Sequence, residues 1–191
     1  MKAVILDGSR TEDDSLNLLS EIVMSVVERY GYQVDNITLR HEKIGSCMGC
    51  FGCWLRTPGM CVIDDDGRKV AEKVIRSDLV VYLTPITFGG YSSELKKALD
   101  RIACPRLLPF LKKTGGEVHH PLRYESSPTL VVFGVLPSQE LESEELFEIL
   151  VARNAINMHT HAHSSIVYST ETFDVVQKKV DSLLDRAGVT R

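Results

Sequence analysis

The chain reads as an α/β protein with a five-stranded parallel sheet and helices on both faces. Three observations predict this. Five short apolar runs alternate with helical patterns from one end of the 191 residues to the other. The runs are apolar on both sides, as strands covered by helices on both faces must be. Two of them lead through a small-residue or glycine-bearing loop straight into a helix, an arrangement whose free amides suit an anion.

The first run, Lys2-Ala-Val-Ile-Leu-Asp7, is a buried strand. Gly8 to Ser15 follows as a loop. A helix from about Ser15 to Tyr30 places Leu16, Leu19, Ile22, Val23, Val26 and Val27 on one face, and Gly31 ends it. Ser9, Arg10, Ser15 and Asn17 can add donors for a phosphate. Glu12, Asp13 and Asp14 would repel one, and the plainer reading is a strand–helix connection capped by Asp14. Gln33 to Leu39 is the second strand.

Next comes Cys47-Met-Gly-Cys50-Phe-Gly-Cys53-Trp-Leu-Arg-Thr-Pro-Gly-Met-Cys61, where the next crossover helix should begin. Four of the five cysteines stand here in the spacing C-x2-C-x2-C-x7-C. Glycines at 49 and 52 permit a tight coil, and Pro58-Gly59 makes a turn that can return Cys61 as a fourth ligand. Such thiols hold an iron–sulfur cluster or zinc, or do redox chemistry. Structural zinc prefers two separated cysteine pairs, so the continuous triplet is closer to cluster binding. Inert core thiols are the bland alternative.

Asp64-Asp-Asp-Gly67 reads as a solvated turn and helix start, lacking EF-hand spacing. Val70 to Arg76 is helical and Asp78 to Thr84 is the third strand. Thr84-Pro-Ile-Thr-Phe-Gly-Gly-Tyr-Ser-Ser then opens a helix. The Ser92 and Ser93 hydroxyls and the helix dipole favour a polar group. Pro85, Phe88 and Tyr91 supply an apolar wall, a combination suited to a flat ring with polar edges. Residues 104–128 form a long connection. In it Glu117, His119, His120 and Tyr124 could line a site or subunit contact, and Arg123 is a candidate partner for an anionic substrate or a nicotinamide phosphate. Cys104 reads as a buried thiol at a helix end. Thr129 to Leu136 is the fourth strand. Glu140 to Asn154 is a helix with Leu141, Leu146, Ile149 and Leu150 expected inward. His159, His161 and His163 would share one face of an extended segment leading into Ser164–Tyr168, a pattern like a metal site. Their place at the start of the fifth strand favours surface or interface histidines. Thr172 to Ala187 closes the chain as an amphipathic helix.

Hydrophobic residues make up 43% and charged residues 25%, ordinary for a globular protein, and one domain spanning 1–191 is expected. Its elaborations are a cysteine-rich insertion near 45–63 and the loop near 104–128. A net charge of −4 without a basic run argues against nucleic acid. With no apolar run long enough for a membrane and no signal peptide, a reducing cytoplasm is expected, where clustered cysteines point to metal or redox use.

Thr84-Pro-Ile-Thr-Phe-Gly-Gly, with Leu95-Lys96 and Asp100-Arg101, resembles the flavin-loop signature of the NAD(P)H-dependent FMN reductase family, which has the flavodoxin-like fold. The cysteine stretch with Asp64-Asp65 resembles the cluster motif of that family's iron–sulfur flavoprotein branch. The first loop departs from the family's glycine- and asparagine-bearing phosphate loop. The resemblance implies a three-layer sandwich of strand order 2-1-3-4-5, with FMN at the carboxyl ends of the strands. It implies phosphate contacts from Ser9, Arg10, Ser15 and Asn17. Thr84, Pro85, Ile86, Thr87, Phe88 and Gly89 would flank the isoalloxazine, amides of the Thr87–Gly90 turn would bond its edge, and Gly134 would let it approach the backbone. The resulting expectation is an FMN-dependent oxidoreductase, reduced by NAD(P)H or by a carrier. It would exchange electrons with a [4Fe-4S] cluster on Cys47, Cys50, Cys53 and Cys61. Its partner would be a small molecule or a ferredoxin-type protein, and it would be a homodimer or homotetramer. No catalytic acid–base residue is nominated. Two alternatives stay open: a cluster-free NAD(P)H-dependent FMN or quinone reductase, and a zinc-binding regulatory module without turnover.

Overall fold

A computed structural model describes residues 1–12, 14–114 and 116–189. Asp13 with its charge, and the Asp14 side chain with its expected cap, fall outside what it describes.

Strand β1 (Lys2–Asp7) lies between β2 (Gln33–Thr38) and β3 (Leu79–Pro85), and β6 (Thr129–Leu136) and β7 (Ala162–Tyr168) extend the sheet beyond β3. All four pairings are parallel, so the order β2-β1-β3-β6-β7 is the expected 2-1-3-4-5. The strand order reverses at β1/β3, and a crevice opens there beyond the carboxyl ends. β1 and β3 are buried along almost their whole length because helices cover both faces. On one face, α1 (Asp14–Arg29) and α6 (Phe173–Arg186) bury Leu16, Leu19, Val23, Val180 and Leu184 against Ile5, Val81 and Phe133. On the other, α3 (Asp66–Ile75), α4 (Ser93–Arg106) and α5 (Leu141–Asn157) cover Val4, Leu6, Val80 and Tyr82. Among the described residues no helix is long and apolar enough to cross a membrane.

Four expectations change. The second strand stops at Thr38, and Leu39–His41 turns as a 3-10 helix that points Arg40 toward the crevice. Residues 104–128 are not structureless. Helix α4 continues through Pro105 to Arg106, and β4 (Lys112–Thr114) and β5 (Glu117–His119) pair as an antiparallel hairpin. The buried stripe of α5 is Phe147, Val151 and Ala155, whereas Leu141, Leu146 and Ile149 are exposed and Leu150 is half-buried. The chain carries two apolar stripes there, and the cavity over Gly134 selects the one with the aromatic ring. A Cβ on Gly134 would stand 2.8 Å from the Phe147 ring and 2.6 Å from Ile86. Lastly, the three histidines do not share a strand face. β7 begins at Ala162, and His159 is left-handed (φ 49°) with its Nε2 bonded to the His120 carbonyl at 2.6 Å.

Candidate functional site

Two chemistry-bearing regions flank helix α4. The first is the crevice at the carboxyl ends of β1 and β3. Its two loops meet where Gly8 passes the start of α4. A Cβ there would lie 2.8 Å from the Ser92 hydroxyl and 2.9 Å from Leu95, so only glycine permits the approach. Ser92 caps α4 by accepting from the Leu95 amide, and its own amide donates to the Thr84 hydroxyl at 3.0 Å. Thr84 is thus a buried clasp for the loop. The Thr87 and Gly90 amides each donate to the other's carbonyl, at 3.0 and 2.9 Å. The amides this turn can offer outward are therefore those of Phe88 and Gly89. Phe88 sits at φ 50° with its ring 99% exposed, and Gly89 at φ 72° is packed on Leu146. A bulky residue held left-handed and solvated is costly, which marks a place reserved for contact. Ile86 and Gly134 instead pack on each other in the interior.

A cleft of about 450 Å³ separates the two loops, lined by Arg10, Thr11, Leu16, Pro85, Thr87 and Glu94. It unites three of the expected residues: Arg10, Pro85 and Thr87. Ser15 lies in the first turn of α1. Ser9 is fully buried, and its amide donates to Asp7 Oδ1 at 2.8 Å. Its hydroxyl accepts from Arg40, a residue that sequence reasoning passed over. Arg40 also donates to Glu12 at 2.6 Å and lies 3.7 Å from the Asp7 carboxylate. The Arg40 hydrogen bond and charge, with a further bond from Asn17, hold the Glu12 carboxyl below its ordinary value.

The second region is the cysteine segment. Its one regular piece is α2 (Gly52–Leu55), entered through Phe51 at φ 52° and Gly49 at φ 64°. Trp54 on α2 donates its indole N–H to the carbonyls of Cys104 (2.7 Å) and Leu107 (2.9 Å), tying the segment to the end of α4. This places Cys53 beside the end of α4 that carries Cys104, near enough for the two thiols to influence each other, with Cys104 within electrostatic reach of Cys47, Cys50 and Cys61. The fifth cysteine therefore joins the other four, which its sequence distance concealed. Burial, with the neighbouring thiols, pushes the Cys53 thiol up to about 12.

Arg101 anchors the other end of the segment. Almost wholly buried, it binds both oxygens of Asp65 (2.8 and 2.7 Å) and donates to the carbonyls of Gly45 and Ile63. Burial opposes ionisation of Asp65, but the Arg101 bonds, with the Gly45 and Gly67 amides, prevail and hold its carboxyl below the ordinary value. Asp65 is thus the N-cap of α3, as the expected helix start implies, but it is the partner of a buried cation and not solvated. Arg123, a candidate anion ligand by sequence, donates instead to the carbonyls of Pro105 and Leu107 at the end of α4. His119 is clasped between Glu117 and Asn157, at 3.0 Å each, and Glu117 takes a two-pronged bond from Arg153. That network pins the β4–β5 hairpin to α5.

The donor chemistry of the cysteine segment, soft sulfur beside a buried guanidinium, fits a cluster or another soft metal. The thiols are neighbours without pointing at one centre: Cys47 and Cys50 are exposed, and among the described residues no group of three or more donors is placed to hold a metal ion.

Comparison with known proteins adds three findings. Residues 1–139 match the family model described as NADPH-dependent FMN reductase. An iron-sulfur flavoprotein of Methanosarcina thermophila is 27% identical over 113 residues, 59% of this chain and 58% of that protein. One of Archaeoglobus fulgidus is 33% identical over 107 residues, 56% of this chain and 51% of that protein. The chain thus spans about half to three-fifths of the length of these curated relatives. An NAD(P)H:quinone oxidoreductase structure from Methanothermobacter marburgensis aligns with 95% of this chain and 96% of its own. Its TM-score is 0.71 at 12% identity, a likeness of fold.

Proposed function

The chain belongs to the NADPH-dependent FMN reductase family, and on that premise we propose that it is an FMN-dependent oxidoreductase whose cysteine segment carries a [4Fe-4S] cluster. The observation that carries the flavin reading is the cleft between the β1–α1 and β3–α4 loops, with the solvated Phe88 beside it. On this reading Ser9, Arg10, Ser15 and Asn17 surround the phosphate, and Pro85, Thr87, Phe88 and Gly89 flank the ring. Thr84, Ile86 and Gly134 act from beneath, by holding the loop in shape. The Phe88 and Gly89 amides face the ring's polar edge and tune its electron affinity. FMN held by these residues would supply acceptance of hydride from NAD(P)H and release of single electrons.

Cys47, Cys50, Cys53 and Cys61 would hold the cluster. The relatives' names support this, as does the fastening of the segment that carries these cysteines to α4, through Trp54 at one end and Arg101 at the other. Arg101 puts a buried positive charge beside the segment, and Trp54 keeps α2 against α4. A small-molecule or ferredoxin-type partner completes the proposal, as does a homodimer or homotetramer, for which the exposed Leu146, Ile149 and Ile156 on α5 speak.

A cluster-free FMN or quinone reductase is the second reading, favoured by the exposed Cys47 and Cys50. Iron, acid-labile sulfide, zinc and flavin per chain, measured on protein purified without oxygen, separate the readings. Flavin with matching iron and sulfide is expected. Flavin without metal, even after reconstitution, leaves the second reading. Zinc without flavin overturns both.

A further inference from the structure

Glu12 presents a difficulty for the flavin reading, because a carboxylate in a phosphate loop should repel its ligand. Arg40 resolves it. The 3-10 turn after β2 brings this residue beside the β1–α1 loop, since Thr38 is in register with Asp7. Its side chain is only 13% exposed, and its inner contacts are fixed. Ser9 and Asp7 are both buried and bonded to each other. Its outer contact differs in kind. The Glu12 side chain is 75% exposed and reaches in from solvent to meet the guanidinium at 2.6 Å. An anion of the right size would find the same donor in the same place.

We infer that Arg40 recognises the flavin 5′-phosphate and that Glu12 is an exchangeable stand-in which the phosphate displaces. This rests on the flavin reading above and adds to it the residue that distinguishes FMN from riboflavin. A phosphate carries more charge than a carboxylate and offers three oxygens to the outer Nη2 that now holds Glu12, so it wins the exchange. Glu12 then turns to water at little cost, because it is already mostly solvated. Asp7 stays behind Arg40 and keeps the fork beside the β1–α1 loop. Arg10, though it lines the cleft, is exposed and has no such backing among the described residues.

The test is titration of flavin-stripped protein with FMN and with riboflavin, followed by flavin fluorescence, because riboflavin has the ring without the phosphate. The wild-type protein should prefer FMN by about tenfold or more, the worth of one charge-assisted contact. In Arg40→Met that preference should fall about fivefold or more, with riboflavin affinity held within about twofold. In Glu12→Gln it should rise about threefold, again without change for riboflavin. Arg40→Lys should restore part of the preference. If the ratio of the two affinities is unmoved in both Arg40→Met and Glu12→Gln, or is lost only in Arg10→Met, the inference is wrong while the flavin reading stands. If the wild-type protein binds neither flavin, the flavin reading itself falls. Should Arg40→Met fail to fold, Glu12→Gln carries the test alone, since its side chain supports no buried contact.

Discussion

The crevice and the cysteine segment are built in different ways. The crevice lies where parallel strands end, and backbone and turn geometry shape it: the Thr87–Gly90 pairing, the Ser92 cap, and the passage of Gly8 over α4. The cysteine segment has one four-residue helix, and side chains hold it: Arg101 on Asp65, and Trp54 on the end of α4. Most of α4 separates Ser92 from Cys104, about 18 Å along the axis at the α-helical rise. A site made by the fold should tolerate changes in the other region. A site made by a few buried polar contacts should collapse when one of them is removed.

Cys50→Ser should produce the largest effect. All iron should be lost while FMN stays bound and the helical circular-dichroism signal at 25 °C is unchanged, because this thiol is exposed. Iron retained in that variant would mean that Cys50 is no ligand. Arg101→Met should come next. It strands the Asp65 carboxylate without its buried partner, a loss of about 3–5 kcal/mol in urea unfolding. Iron should go with it, and FMN affinity in the folded fraction should change far less. Equal damage to both sites would erase the contrast.

Gly89→Glu tests the crevice from the other side. The residue is left-handed, and a Cβ would stand 2.6 Å from that of Leu146. FMN should bind about tenfold or more weakly, with iron unaffected. The smallest effect is acid. The Asp65 carboxyl titrates in the folded chain below its unperturbed 3.8. Its stabilisation is therefore complete above that pH and disappears as pH falls through the lower folded value. The chain has one tryptophan, Trp54, and it sits inside the cysteine segment. Its fluorescence should report loosening of that segment below pH 3.8, ahead of any loss of the helical circular-dichroism signal.

Strand order and the place of the crevice were legible because they follow from period and from the βα alternation. Residues 84–90 were legible as a strand–turn–helix junction. Less so was what each one does: Ile86 and Gly134 face inward, and the Thr87 and Gly90 amides are spent on each other. The face of α5 was misread because two apolar stripes compete in Leu141–Asn157, and only the space over Gly134 chooses between them. The three histidines misled because alternation assumes an extended chain, and His159 turns left-handed before the strand begins.

By itself the sequence determined which elements form, how they alternate, and which thiols lie close along the chain. Those are short-range properties, encoded in period, in glycine and in spacing. Only the tertiary structure decided that Arg40 enters the first loop, that Arg101 holds Asp65, and that Cys104 joins the other cysteines. Each of these partnerships links residues 31 or more positions apart. Their meeting depends on which strands and helices pack side by side, and no local pattern records that.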